Sequence, residues 1–345
     1  MLVERHSYGT FYNQDVSKIV LTNDNNMSVS ILELGGIISN LYVPDKNGVV
    51  NDVVLGLDEI SAYAKDNHYF GALIGRVANR IENAAFRQDE ETIRVNGNAY
   101  NGKHCVHGGR FGYHRRVWKE LETEQKENEV SLTLRLHDAD GEEGFKSNVV
   151  VLATYTLNNS NRLQLSYKAI ADGPTPVSMT AHSYFNLFGH DKGSINEHEL
   201  TIYADNYLEQ KEDRIPSGNI LAVDDTEFCF QKPKQLSDGV ESGIEINHSY
   251  VFSKSDSSNN NLTLMAQLKG GGRTLSVYSN ESTLHFYNGH NLDGVKGKSD
   301  TVYKRYAGLC LEPKGYVNGV NTPGFPCTFI DESKTYEHTI VYDFG

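Results

Sequence analysis

The sequence predicts an all-β protein, a large antiparallel β-sandwich with few short helices. Three observations carry this expectation. Apolar and polar residues alternate with period two along many short stretches, as they must where one face of a strand is buried and the other is not. Tyrosine is abundant at 20 residues, and it favours pleated, half-buried positions. Helical periodicity is scarce, and without helical crossovers there is no ready way to build parallel strands.

Taken in chain order, "MSVSILEL" (27–34) alternates first, followed by the turn signal "PDKNG" at 44–48. "LDEISAYAKD" (57–66) is the best helix candidate and is long enough for about two turns. In "VSLTLRLH" (130–137) Val and three Leu share one face, with Ser, Thr, Arg and His on the other. "RLQLSYKAI" (162–170), "RTLSVYS" (273–279) and "YEHTIVYDF" (336–344) repeat the pattern. "ADG" at 139–141 and again at 171–173, and "GGG" at 270–272, supply turns between them. "SDSSNNN" (255–261) reads as a surface loop, not a domain boundary, so residues 1–345 are expected to form a single domain.

Charge narrows the function classes. Lys plus Arg number 32 against 45 Asp plus Glu, a formal charge of −13. Nucleic-acid and anionic-membrane partners call for clustered basic residues, so neither is expected. A small neutral molecule suits this balance. Cys105, Cys229, Cys310 and Cys327 form no CxxC pair and match no zinc or disulfide spacing. With an N-terminus, "MLVERHSYGT", that lacks a signal-peptide pattern, and no run near the ~20 apolar residues of a membrane span, a cytoplasmic protein with reduced thiols is expected.

Four stretches do not read as plain strand or turn. "GALIGRVANRI" (71–81) sets Arg76, Asn79 and Arg80 among small and aliphatic residues. Arg and Asn carry forked donors suited to hydroxyls and carboxylates, and a surface ion pair would account for them equally well. "HCVHGGRFGYHRRVW" (104–118) places two glycines after His107, where the backbone can approach a ligand closely. His104, His107, His114 and His137 lack metal-ligand spacing, so no metal is expected. In "SMTAHSYFNLFGH" (178–190) alternation puts His182 and Tyr184 on one face, with Ser183 and Phe185 opposite. By itself that pattern fits a core histidine satisfied by its neighbours. In "GLCLEPKGYVNGVNTPGFP" (308–326) Glu312 ends an apolar run. An unpaired buried carboxylate costs several kcal/mol, so Glu312 is either in a structural ion pair or functional.

Read together, "GRVANRI", "VHGG" with Trp118 downstream, "HSYFNL", "LDGVKGK", "GLCLEP" and the ending "FP…Y.H.I.Y.F" resemble the aldose 1-epimerases, or galactose mutarotases, in order from about residue 10 to the C-terminus. The resemblance implies a galactose mutarotase-like sandwich that interconverts the α and β anomers of free aldoses such as galactose or glucose, with no cofactor. It implies Glu312 as base and His182 as acid. His107 is implied as a second imidazole near the ring oxygen, one that binds sugar and assists proton transfer. Asn79, Arg80, Ser183 and Tyr184 would bind sugar, and Arg76 would be structural. A monomer or homodimer is expected.

Three positions depart from the family pattern. In "EINHSYVF" Asn247 stands where an Asp usually contacts sugar hydroxyls; His285 stands for Gln; and Lys314 stands where Gln commonly follows "LE". Asn247 and His285 keep hydrogen-bonding capacity, so they are expected to bind sugar with altered preference and to leave the implied acid and base intact. Two other readings remain open. One is a non-catalytic sugar-binding or sensing sandwich, the other a mutarotase specialised for another sugar such as a disaccharide. A glycoside hydrolase would need two flanking carboxylates, and the second candidate position holds Asn247.

Overall fold

In the computed structural model of the chain, residues 1–237, 243–252 and 262–345 are described. The segment "SDSSNNN", read as a loop, lies outside the described residues. The alternating stretches form long strands. Glu129–Asp138, Val149–Asn158 and Arg162–Ala171 follow one another as antiparallel neighbours. Val149–Asn158 alternates between buried and half-buried at every residue, with valines, Ala, Tyr and Leu inward.

These three strands belong to a nine-stranded sheet that continues through Tyr336–Phe344, Arg273–Ser279 and Thr263–Gly270. The last strand of the chain thus sits in its middle, which ties the C-terminus to the core. A five-stranded meander, residues 2–52, and a six-stranded sheet built from 184–185, 309–314, 283–287, 247–251, 206–210 and 216–222 make the other large sheets. One apolar core joins all three, with Val29 and Leu41 from the first, Leu132 and Leu165 from the nine-stranded sheet, and Leu284, Phe286 and Leu311 from the six-stranded sheet. The architecture is an antiparallel β-sandwich.

The helix expected over 57–66 is shorter than its pattern, a single turn at Ile60–Tyr63. Its continuation is diverted by Asp66, whose carboxylate accepts from the backbone N–H groups of His68 and Phe70. Asp offers the backbone this local alternative to helix. The diverted chain carries residues 67–70 over the six-stranded sheet.

Candidate active site

Register in the six-stranded sheet decides which side chains meet. In the strand Leu309–Lys314, Glu312 pairs with His285 and Cys310 with Tyr287. On the other side of Thr283–Tyr287, Asn247 pairs with Tyr287 and Ser249 with His285. Alternation sends Leu309, Leu311, Leu284, Phe286 and Tyr250 into the core. The opposite face therefore carries Cys310, Glu312, Lys314, His285, Tyr287, Asn247 and Ser249 together. An apolar sequence pattern and a polar cluster are two faces of the same strands.

Three loops close over that face. Asn67, His68 and Tyr69 come from the diverted segment, Asn79 and Arg80 from the first motif, and Val106 and His107 from the second. With His182, Tyr184, Asn247, His285, Tyr287, Asn291 and Glu312 they line a cleft of about 290 Å³. His107 is held by reciprocal contacts: its N–H donates to the Asn79 carbonyl (2.9 Å), and its Nδ1 accepts from the Asn79 N–H (3.3 Å). With Nδ1 accepting, the neutral ring carries its hydrogen on Nε2. The turn depends on Gly108, which has φ +80° and where a Cβ would come within 2.0 Å of the Gly75 carbonyl oxygen.

Glu312 and His182 stand side by side, with Nε2 3.6 Å from Oε1. Both are buried, at 1% and 5% exposure. Burial raises the Glu312 carboxyl to about 8, with Lys314 and Arg80 pulling the other way. Burial lowers His182 to about 4. Glu312 Oε2 is buried without a hydrogen-bond partner. His182 Nδ1 lies 3.5 Å from Cys310 Sγ, and its ring is packed by Tyr69, His107 and Tyr184. Arg80 donates to the Asn79 carboxamide oxygen at 2.9 Å and forms no ion pair among the described residues; burial, then Arg214, lowers it to about 10.

The sequence-predicted residues therefore converge, with one exception. Glu312, His182, His107, Asn79, Arg80, Tyr184, Asn247 and His285 all line the cleft. Ser183 does not. It is buried, and its Oγ has no hydrogen-bond partner. The chain changes partners there, with Thr180–Ala181 pairing to Leu73–Ile74 and Tyr184–Phe185 to Leu309–Cys310. Alternation nonetheless holds: His182 and Tyr184 line the cleft, and Phe185 belongs to the apolar core. Arg76 lies outside the cleft, where its guanidinium pairs with Asp138 at 2.8 Å and bonds the Lys146 carbonyl and Thr175.

The sequence reading did not single out Tyr69, Asn67, His68, Tyr287 or Asn291. Tyr69 adopts φ +61° and packs against His107, His114 and His182. Only its loop position, which has no periodicity, precedes it in the sequence.

The four histidines His104, His107, His114 and His137 do not assemble into a metal set. His104 instead bonds Asp213 (3.2 Å) and the Asn83 N–H. Among the described residues, the group with ligand atoms close enough to hold a metal is His182, Cys310 and Glu312, all within 4.8 Å of one another.

Residues 17–343 match the sequence profile of the family described as aldose 1-epimerase. The chain is 36% identical over 333 residues to a galactose mutarotase of Sus scrofa, covering 96% of this chain and 94% of that one. It is 29% identical over 348 residues to an aldose 1-epimerase of Escherichia coli K12, with 94% of each covered. Its fold is similar to that of an aldose epimerase homologue from C. elegans, with a TM-score of 0.86, 29% identity, and coverage of 96% and 99%.

Proposed function

The chain belongs to the aldose 1-epimerase family, and from that premise we propose that Glu312 and His182 are the proton-transfer pair of a carbohydrate epimerase. The protein is a mutarotase, an isomerase that interconverts the anomers of aldoses. Galactose, on the names of its relatives, and glucose, as a second free aldose that a cleft rich in hydrogen-bonding side chains could hold, are the substrates we assign to it.

Anomer exchange removes a proton from the O1 hydroxyl and adds one to the ring oxygen O5. Both atoms sit on C1, so the groups serving them must be neighbours. The 3.6 Å between Glu312 and His182 is the observation that carries the assignment. The pair must hold one proton. With Glu312 ionised and His182 protonated, the carboxylate takes the O1 proton as the imidazolium protonates O5, and the ring opens to the aldehyde. That step leaves Glu312 protonated and His182 neutral. After rotation about C1–C2 this second form closes the ring on the other face, returning both protons. The cycle needs no net proton. Burial leaves the shared proton on Glu312, with His182 neutral, in the free protein. Lys314 and Arg80 oppose that preference and so lower the cost of moving the proton to His182, which gives the form that opens the ring.

His107, with Nε2 as donor, and Asn79, Arg80, Tyr184 and Asn247 hold the sugar in this reading. His285, expected from the sequence to bind sugar, has both ring nitrogens bonded to Ser249 and Asn247 and acts behind Asn247. Polarimetry or NMR of freshly dissolved α-glucose and α-galactose tests it. Equilibration above the spontaneous rate is expected, and its absence for every aldose would overturn the assignment. Sugar binding by calorimetry with no exchange would select the non-catalytic reading instead. We further assign the protein to the cytoplasm and to a single domain. The four free cysteines and the core shared from Ile19 to Phe344 support these two readings. No helix among the described residues is long and apolar enough to cross a membrane.

A further inference from the structure

Beneath the cleft runs a chain of side chains that the proton chemistry does not use. Lys314 Nζ lies 3.2 Å from Ser249 Oγ. Ser249 Oγ lies 2.8 Å from His285 Nδ1, and His285 Nε2 lies 2.8 Å from the Asn247 carboxamide oxygen. Lys314, Ser249 and His285 are buried, and Asn247 is half-buried at the cleft wall.

The direction of every bond in this chain can be deduced. An ammonium group donates and cannot accept, so Ser249 accepts from Lys314. The Ser249 hydroxyl has one hydrogen, is buried, and finds its other partner among the described residues in His285 Nδ1. Leaving that hydrogen unpaired would incur the full desolvation cost of a buried donor, so the hydroxyl donates to Nδ1. Burial, and then Lys314, hold His285 well below its ordinary value and keep it neutral. A neutral imidazole with one accepting nitrogen carries its hydrogen on the other. Nε2 therefore donates to the Asn247 oxygen. That oxygen is committed inward, and the Asn247 Nδ2 hydrogens have no acceptor among the described residues.

We propose that Lys314 is a positioning residue that fixes the polarity of this chain, so that Asn247 presents donors to the sugar and selects aldoses whose facing group is an acceptor. This rests on the reading that the cleft binds a sugar. An Asp at the same position would present only acceptors, so the side chain here asks the opposite of its ligand.

Deoxy and deoxyfluoro aldoses test it, because fluorine accepts weakly and cannot donate, while hydrogen does neither. Galactose and glucose analogues altered at C2, C3, C4 or C6 would be compared in calorimetric affinity and, where turned over, in kcat/KM by NMR exchange. At one ring position the fluoro analogue should exceed the deoxy analogue by about tenfold, the scale of a buried hydrogen bond left unmade. Lys314→Met should reduce that ratio to near one, and Ser249→Ala, which breaks the same chain one link on, should do likewise. Because both analogues meet the same Glu312, the ratio is insensitive to lost catalysis or to a reduced folded fraction. Equal losses for fluoro and deoxy analogues at every position would overturn the proposal. So would a ratio that survives in whichever of the two variants folds. If the parent aldoses bind without being exchanged, the catalytic reading fails while the affinity ratio still decides this one.

Discussion

The pH dependence of anomer exchange follows from two buried groups. Burial holds His182 at about 4 and Glu312 at about 8, so the pair carries one proton between those limits. Below about 4 both are protonated and no base is left. Above about 8 neither is, and no acid is left. The expected kcat/KM profile is a bell with a plateau near pH 5–7. One pH unit beyond either limb the competent fraction is about one-tenth, so the rate at pH 9 should be about tenfold below the plateau. The upper limb belongs to a coupled system, because burial lowers Lys314 to about 8 while Glu312 opposes that shift.

The perturbation that discriminates is Lys314→Met. The Lys314 cation is the largest influence opposing the burial of Glu312. Without it the carboxyl ionises less readily, so the proton is kept to higher pH and the upper limb should move in the alkaline direction. The lower limb, set by the burial of His182, should stay in place. Saturation-transfer NMR from pH 3 to 10, with the spontaneous rate subtracted, resolves both limbs. A profile flat from pH 5 to 10, or an upper limb that moves to lower pH in the variant, would refute the reasoning.

Three further outcomes are expected. Glu312→Gln and His182→Asn should each lower kcat by at least ~10²-fold, and the double variant should be little worse than either, because the two act on one proton cycle; multiplicative losses would show independent roles. Asp138→Ala leaves Arg76 buried without its carboxylate and Tyr113 without its acceptor, which should lower the urea-unfolding free energy by about 3–5 kcal/mol while sugar affinity holds; a loss below about 1 kcal/mol would contradict the ion pair's structural role. Cd²⁺ should inhibit by engaging His182, Cys310 and Glu312, with thiolate absorption in the ultraviolet. Cys310→Ser should relieve that inhibition and a chelator should leave activity intact; equal inhibition of the Ser variant would exclude the thiol.

What was legible in the sequence was what local periodicity or local cost encodes. The strand Val149–Asn158 keeps one side inward along its whole length, and such strands define the sandwich. Glu312 stood out because a carboxylate closing an apolar run has few structural explanations. What sequence could not supply was register. His285 faces Glu312 across a strand pair, and Ser249 faces His285 across the next; a shift of one residue in either pairing would have moved those side chains to the core face. Ser183 was placed in the site by the family resemblance alone; alternation set it opposite His182 and Tyr184, and of the three only those two line the cleft. Tyr69 was missed because its position follows from Asp66 capturing two backbone N–H groups, which leaves no periodic trace.

The strand Leu309–Lys314 is buried along its full length, yet it places a carboxyl and an ammonium two residues apart on one face. Burying both would be poorly compensated if each were left to itself. Lys314 is relieved through Ser249, whereas Glu312 keeps Oε2 without a partner. Extra donors on that oxygen would stabilise the ionised form and make Glu312 a weaker base. Leaving it bare keeps the carboxyl near 8, and the O1 hydroxyl of a bound aldose can then supply the missing hydrogen bond. The group that Glu312 lacks in the free protein is the one from which, in the proposed mechanism, it takes a proton.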